Sequence, residues 1–149
     1  MHEFRVTIGP ASFRVLSDWA EPLRVMERLY AAYPRPEICD FTVRLEAPRP
    51  WRKWLRPSVR LDGDYMVADA APLPLSHAVL GAEMAMNLQM ALGWRRHVLL
   101  HASAVERDGR VLLMTGLSGS GKSTLAAMLG ESGTWRFMGD EFALLDTAT

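Results

Sequence analysis

Apolar and polar residues alternate over Glu3 to Ile8 and again over Ser12 to Leu16, on either side of Gly9-Pro10, which predicts two short strands and a turn. The period then changes. Leu23, Met26 and Tyr30 share one face at helical spacing, and Asp18 with Glu21 has the form of a capping box, so a helix is expected until Pro34 and Pro36 stop it. Alternation returns at Phe41 to Leu45. Val59 to Leu61 and Tyr65 to Val67 flank Asp62-Gly63-Asp64 as the arms of an expected hairpin. Residues 1–74 thus read as a small α+β region, mostly antiparallel.

Pro72 and Pro74 mark the expected boundary, and residues 75–149 read as a second region. Ser76 is placed to cap a helix carrying Leu80, Met84, Leu88 and Leu92 at four-residue spacing and ending near Gly93, a stripe expected to face the core. Val98 to Val105 and Arg110 to Thr115 are β-rich and joined through Asp108-Gly109, a strong hairpin signal. A helix is expected from Lys122 to Leu129, and a second buried strand from Trp135 to Met138. No internal repeat or low-complexity tract interrupts this order.

Composition adds exclusions. The 149 residues are 49% apolar, enough for a packed core, and 17 Lys and Arg balance 17 Asp and Glu, so no whole-molecule field would hold nucleic acid or an anionic membrane. The lone Cys39 has no partner for an internal disulfide, which suits the cytoplasm. Met1 to Ile8 carries Glu3 and Arg5 and does not read as a signal peptide, and Ala78 to Trp94 is broken by Glu83, Asn87 and Gln89, so no membrane span is expected. His2, His77 and His97 form no ligand spacing with one another or with Cys39, so no zinc site is expected. Arg49, Arg52, Lys53, Arg56 and Arg60 surround Trp51 and Trp54 with no acid among them. Three uses of that stretch stay open: a solvated face with anchored tryptophans, a docking face for an acidic protein, or contact with single-stranded nucleic acid. Because acids elsewhere balance it, no nucleic-acid partner is expected.

The chemistry concentrates in Gly116-Leu117-Ser118-Gly119-Ser120-Gly121-Lys122-Ser123, which satisfies the P-loop pattern between an apolar strand and a helix. Glycines at 116, 119 and 121 let backbone N–H groups converge on phosphate oxygens, and the helix N-terminus adds partial positive charge. Lys122 would reach the β and γ phosphates, Ser123 would ligate Mg²⁺, and Thr124 is a further candidate phosphate contact. Gly139-Asp140-Glu141 follows the next strand, where ligands collect in parallel α/β sheets. Either carboxylate could bind Mg²⁺ or take a proton from a hydroxyl nucleophile. His101, among small residues in the strand before the hairpin, is either a core histidine or a member of this site.

His101-Ala102-Ser103-Ala104-Val105, Asp108-Gly109-Arg110, the loop Gly116 to Thr124 and Met138-Gly139-Asp140-Glu141 together resemble the catalytic core of HPr kinase/phosphorylase, in the branch known as the HPr kinase-related kinase A family. The resemblance extends through Leu29-Tyr30, Tyr33-Pro34, Arg52 to Pro57, and Glu83 with Asn87. It implies an α/β P-loop kinase core like that of phosphoenolpyruvate carboxykinase, ATP with Mg²⁺, and phosphorylation of a serine hydroxyl on a protein or peptide. Lys122 matches the phosphate-binding lysine, Ser123 the metal-binding hydroxyl, and Asp140 the base toward the substrate serine. Glu141 stands where the parent enzyme has a second Asp, and His101 matches a histidine near the phosphates. Small PqqD-like proteins of peptide-modification systems are the partners the resemblance implies. Related kinases continue well past the acidic pair, whereas this sequence ends at Asp146-Thr147-Ala148-Thr149, so the implied core is incomplete, with a homo-oligomer as one way to cover it. Two rival readings remain: a nucleotide-binding, partner-docking module without catalysis, and a P-loop ATPase or small-molecule kinase.

Overall fold

In the computed structural model, which describes residues 1–65 and 71–146, strands β1 (His2–Ile8) and β2 (Ala11–Ser17) form an antiparallel hairpin. Gly9 turns it at φ +57°. Helix α1 (Ala20–Leu29) crosses to β3 (Phe41–Glu46), which pairs parallel to β2, and β3 pairs antiparallel with β4 (Ser58–Gly63). The two-residue strand β5 (Leu73–Pro74) completes a five-stranded sheet in the order β1-β2-β3-β4-β5. The alternating residues Phe4, Val6, Phe13, Val15, Val43, Leu45 and Val59 are buried, together with Leu23 and Met26 of α1. Burial of each such side chain is worth about 1.5–3 kcal/mol.

Two expectations for this region change. Asp18 does not cap α1; the N-cap is Trp19, without a side-chain bond. The Asp18 carboxylate instead accepts from Ala47 N–H at 2.9 Å and Lys53 Nζ at 2.7 Å, partners delivered by the tertiary fold. The helix ends at Leu29, before the prolines, and the Tyr30 hydroxyl donates to Glu83 at 3.0 Å. Burial first, and then this bond, hold the phenol well above its ordinary range. The arm expected at Tyr65 to Val67 falls largely outside the described residues, while β4 finds β3 and β5 as its neighbours.

Helix α2 (Ala78–Gly93) packs on β3 and β4, so the first unit runs from Met1 to Trp94 and the boundary lies after Trp94 rather than at Pro74. The expected leucine stripe also turns over. Ala78, Gly81, Ala82, Ala85, Met86, Gln89 and Met90 are buried, while Leu80, Met84 and Leu92 are exposed. Small residues let the helix approach the sheet closely: a Cβ at Gly93 would run into the Tyr65 ring and lie 2.6 Å from that of Phe41. Gln89 is buried without penalty, since its amide accepts from Tyr65 N–H at 2.7 Å and donates to Tyr65 C=O at 3.2 Å.

The second unit, from Arg95 onward, holds the motif-bearing elements. The single strand expected over Val98 to Val105 breaks at Ala102. Its first half, β6 (Val98–His101), pairs antiparallel with β10 (Phe142–Leu145). Its second half, β7 (Ser103–Arg107), is the centre of a three-stranded sheet between β8 (Arg110–Met114) and β9 (Arg136–Gly139). Asp108 at φ +52° and Gly109 at φ +73° make the expected β7–β8 turn. Glu106 accepts from Gly109 N–H at 2.8 Å and Arg136 Nε at 3.0 Å, fastening that turn and β9 to β7. These two bonds hold its carboxyl below the usual range.

Helix α3 (Lys122–Glu131) packs on β7 and β9. The neighbourhood of β9 departs from expectation, because β8 and β9 run in the same direction but each pairs antiparallel with β7 and not with the other. Nor is β9 buried: Phe137 and Met138 are each about half exposed, as is Val111 on β8. The buried apolar side chains among the described residues here, Ala102, Ala104, Val105, Ala126 and Ala143, are small. Among the described residues no helix is long and apolar enough to cross a membrane.

Candidate functional site: the glycine loop and the acidic strand end

Strand β8 delivers the chain into residues 115–121, and three glycines set the path of the loop with φ of +154° at Gly116, +79° at Gly119 and +87° at Gly121. A Cβ at Gly119 or Gly121 would touch nothing within 4 Å, so glycine is required there by backbone conformation and not by space. Ser120 N–H donates to Leu117 C=O at 3.2 Å to close the turn, and Leu125 N–H to Gly121 C=O at 2.9 Å to begin α3. Gly121 is the N-cap, in the left-handed conformation. The first-turn N–H groups at Lys122, Ser123 and Thr124 have no intrahelical acceptor and add to the positive end of the helix dipole.

Lys122 folds back over the loop. Its Nζ donates to Gly116 C=O at 3.0 Å and Leu117 C=O at 3.1 Å, so the ammonium is held at the loop by two carbonyl dipoles. Leu117, Ser118, Gly119, Ser120, Ser123 and Thr124 are exposed. The loop thus combines three positive-φ glycines, the open first turn of α3 and an ammonium held beside them.

The sheet register relates this loop to the acidic pair. Met114, the end of β8, lies opposite Ser103, and Gly139, the end of β9, lies opposite Ala104. β8 and β9 therefore finish at the same end of the sheet with β7 between them, two strand spacings or about 10 Å apart, and the loop and Asp140 follow from that end. Among the described residues the Asp140 carboxylate has no ion-pair partner. Glu141 is drawn to His101, whose Nε2 lies 3.7 Å from Glu141 Oε2, because Phe142 pairs with His101 in the β6–β10 ladder. Both side chains are exposed, so His101 is not a core residue.

The structure thus brings His101 and Glu141 together and sets Asp140 and the loop on one edge. Sequence reading left Ser103 without a role. It is fully buried at this edge, and its Oγ has no hydrogen-bond partner among the described residues. The signal for it was the run of small residues from Ala102 to Ala104, which shows room without showing burial.

Ser123, Asp140 and Glu141 offer hydroxyl and carboxylate oxygens, the hard donors Mg²⁺ prefers. Among the described residues no group of three or more His, Cys, Asp or Glu could by itself hold a metal ion. That donor set fits a cation held by one or two carboxylates and completed by nucleotide phosphates and water. No family model, curated protein or solved structure matches this chain.

Proposed function

We propose that this chain is an ATP-binding P-loop kinase of the HPr kinase-related type, transferring the γ-phosphoryl group to a serine hydroxyl of a protein or peptide partner, with a small PqqD-like protein as the candidate acceptor system. The observation that carries this reading is the Lys122 ammonium folded onto the Gly116 and Leu117 carbonyls, within a loop bent by three positive-φ glycines. A triphosphate would exchange those carbonyls for phosphate oxygens around the same ammonium. First-turn N–H groups would add bonds in the same place. Support for catalysis comes from Asp140, exposed and without an ion-pair partner among the described residues, at the sheet edge that also bears the loop.

In the proposed reaction the serine oxygen forms a bond to the γ phosphorus as the bond from that phosphorus to the β–γ bridging oxygen breaks, leaving ADP. Asp140 accepts the hydroxyl proton, and Lys122 stays with the β and γ oxygens. Mg²⁺, when bound by Ser123 with Asp140 or Glu141, supplies charge neutralisation of the phosphates. His101 orients Glu141 through their contact. We place the protein in the cytoplasm on the strength of its single, unpaired cysteine.

A fluorescent ATP analogue with Mg²⁺ tests the binding step: saturation with a raised melting midpoint, both lost in Lys122→Ala, is the expected result. Transfer of γ-label to a serine-bearing acceptor, lost when that serine is replaced, tests the kinase step. The exposure of Val111, Phe137 and Met138 on β8 and β9 favours one second reading, a nucleotide-binding module that docks a partner over these strands. It predicts nucleotide-dependent association without phosphate release.

A further inference from the structure

A groove of about 600 Å³ opens on the first unit, outside the loop just described. Its walls come from the 3-10 turn Pro50–Lys53, the bend after it, and the adjoining ends of β4 and β5. The cations of this stretch are sorted by their partners. Lys53 is held by Asp18 at 2.7 Å and Arg60 by Glu46 at 3.1 Å. Arg49, Arg52 and Arg56 line the groove instead, and among the described residues no carboxylate pairs with any of them.

Pro48, Pro57, Pro72 and Pro74 form much of the remaining wall. Proline has no N–H, so the backbone offers few donors there and Pro74 blunts β5 against addition of another strand. Anion recognition falls to the guanidiniums. Arg52 is already positioned, its guanidinium 4.6 Å from the centroid of the Trp51 ring and its Nη1 donating to Arg56 C=O at 3.0 Å. Arg56 adopts φ +46°, a conformation few non-glycine residues take, and the Arg52 bond helps to hold it. Trp54 and Leu55, 79% and 64% exposed, follow the turn as apolar anchors.

We propose that this groove docks an acidic, extended segment of a partner protein, its carboxylates taken by Arg49, Arg52 and Arg56 and its apolar side chains laid against Trp51 and Trp54. Guanidinium forks match carboxylates in a bidentate way, and Arg beside Trp is the usual composition of a binding hot spot. Single-stranded nucleic acid fits less well. One face of Trp51 already carries Arg52 and is closed to base stacking, and the balanced net charge provides no long-range pull on a polyphosphate. The proposal does not depend on nucleotide binding.

The test is fluorescence anisotropy of a labelled oligo-glutamate peptide with the full chain, beside oligo-lysine and oligo-deoxythymidylate of equal length. Saturable binding of oligo-glutamate in preference to the other two is expected. It should weaken about tenfold in Arg52→Ala or Arg56→Ala, the scale of one charge-assisted hydrogen bond. Binding should vanish near 1 M salt, where charges are screened within about 3 Å. Lys122→Ala should bind the peptide as the unaltered chain does, which separates this site from the loop. No binding of oligo-glutamate to the unaltered chain, equal binding of oligo-lysine, or tighter binding of oligo-deoxythymidylate would each overturn the proposal. So would undiminished binding by a folded Arg49→Gln, Arg52→Gln, Arg56→Gln triple variant. The probe comparison on the unaltered chain needs no variant to fold.

Discussion

His101 Nε2 faces Glu141 Oε2 across 3.7 Å where β6 and β10 pair. The contact ties the residue after Asp140 to the strand leading into β7, beyond which the glycine loop begins. On this geometry Glu141 is the tethered carboxylate, and Asp140 has no ion-pair partner among the described residues. Asp140→Asn is expected to lower label transfer to a protein acceptor by about 10²–10⁴-fold, the usual worth of a general base. The rise in melting midpoint caused by Mg²⁺ and ATP should persist. Parallel loss of nucleotide binding and transfer would instead assign Asp140 to holding metal or phosphate.

Lys122 contributes two bonds to its own loop before any ligand arrives. Lys122→Ala is therefore expected to change the chain without nucleotide only slightly, since the bonds are exposed. On the proposed function its main effect should be to abolish stabilisation by ATP, which for the unaltered chain would reach about 2.7 kcal/mol at a hundred times Kd. Calorimetric melts with and without Mg²⁺ and ATP measure both effects. A midpoint shift of equal size in the two proteins would remove Lys122 from the site.

The loop and the β7–β8 turn were legible because their signals are local: a fixed spacing of glycines with lysine, and Asp108-Gly109 between apolar runs. Packing was harder to read. Helix α2 is apolar nearly all round, so Leu80, Met84 and Leu92 look as fit for the core as Ala82 and Ala85; the close approach that selects the small residues belongs to the sheet. Asp18 has the composition of a cap, yet Lys53 and the Ala47 N–H, both distant in sequence, take its carboxylate. The break at Ala102 was invisible because a continuous β-rich run says nothing about which strands will pair with each half. The partners of His101 and Glu141 depended on that break.

Gly93 ends α2 against two rings. A methyl group there would overlap Tyr65 and Phe41, and the Phe41 ring, buried at the start of β3, cannot retreat without disturbing the core. Gly93→Ala is expected to destabilise the first unit by about 1–3 kcal/mol through overpacking, despite the better helix propensity of alanine. A urea titration followed by tryptophan fluorescence would show it as a lower midpoint. An unchanged or raised midpoint would mean that the helix end shifts to make room.

Asp18 supplies a pH signature. Burial opposes its ionisation, but the Ala47 N–H and Lys53 outweigh burial and hold the carboxyl below its ordinary value. A carboxyl lowered in the folded state stabilises the fold above its unfolded pKa of about 3.9, and that contribution disappears as pH falls through the lower folded value. Asp18→Asn should therefore melt earlier than the unaltered chain near neutral pH, and the gap should close as the medium is acidified below about pH 4. Lys53→Met should narrow the gap at neutral pH by removing the cation while leaving the Ala47 bond. A gap that stays constant as the medium is acidified would show that the Asp18 contribution is packing rather than charge.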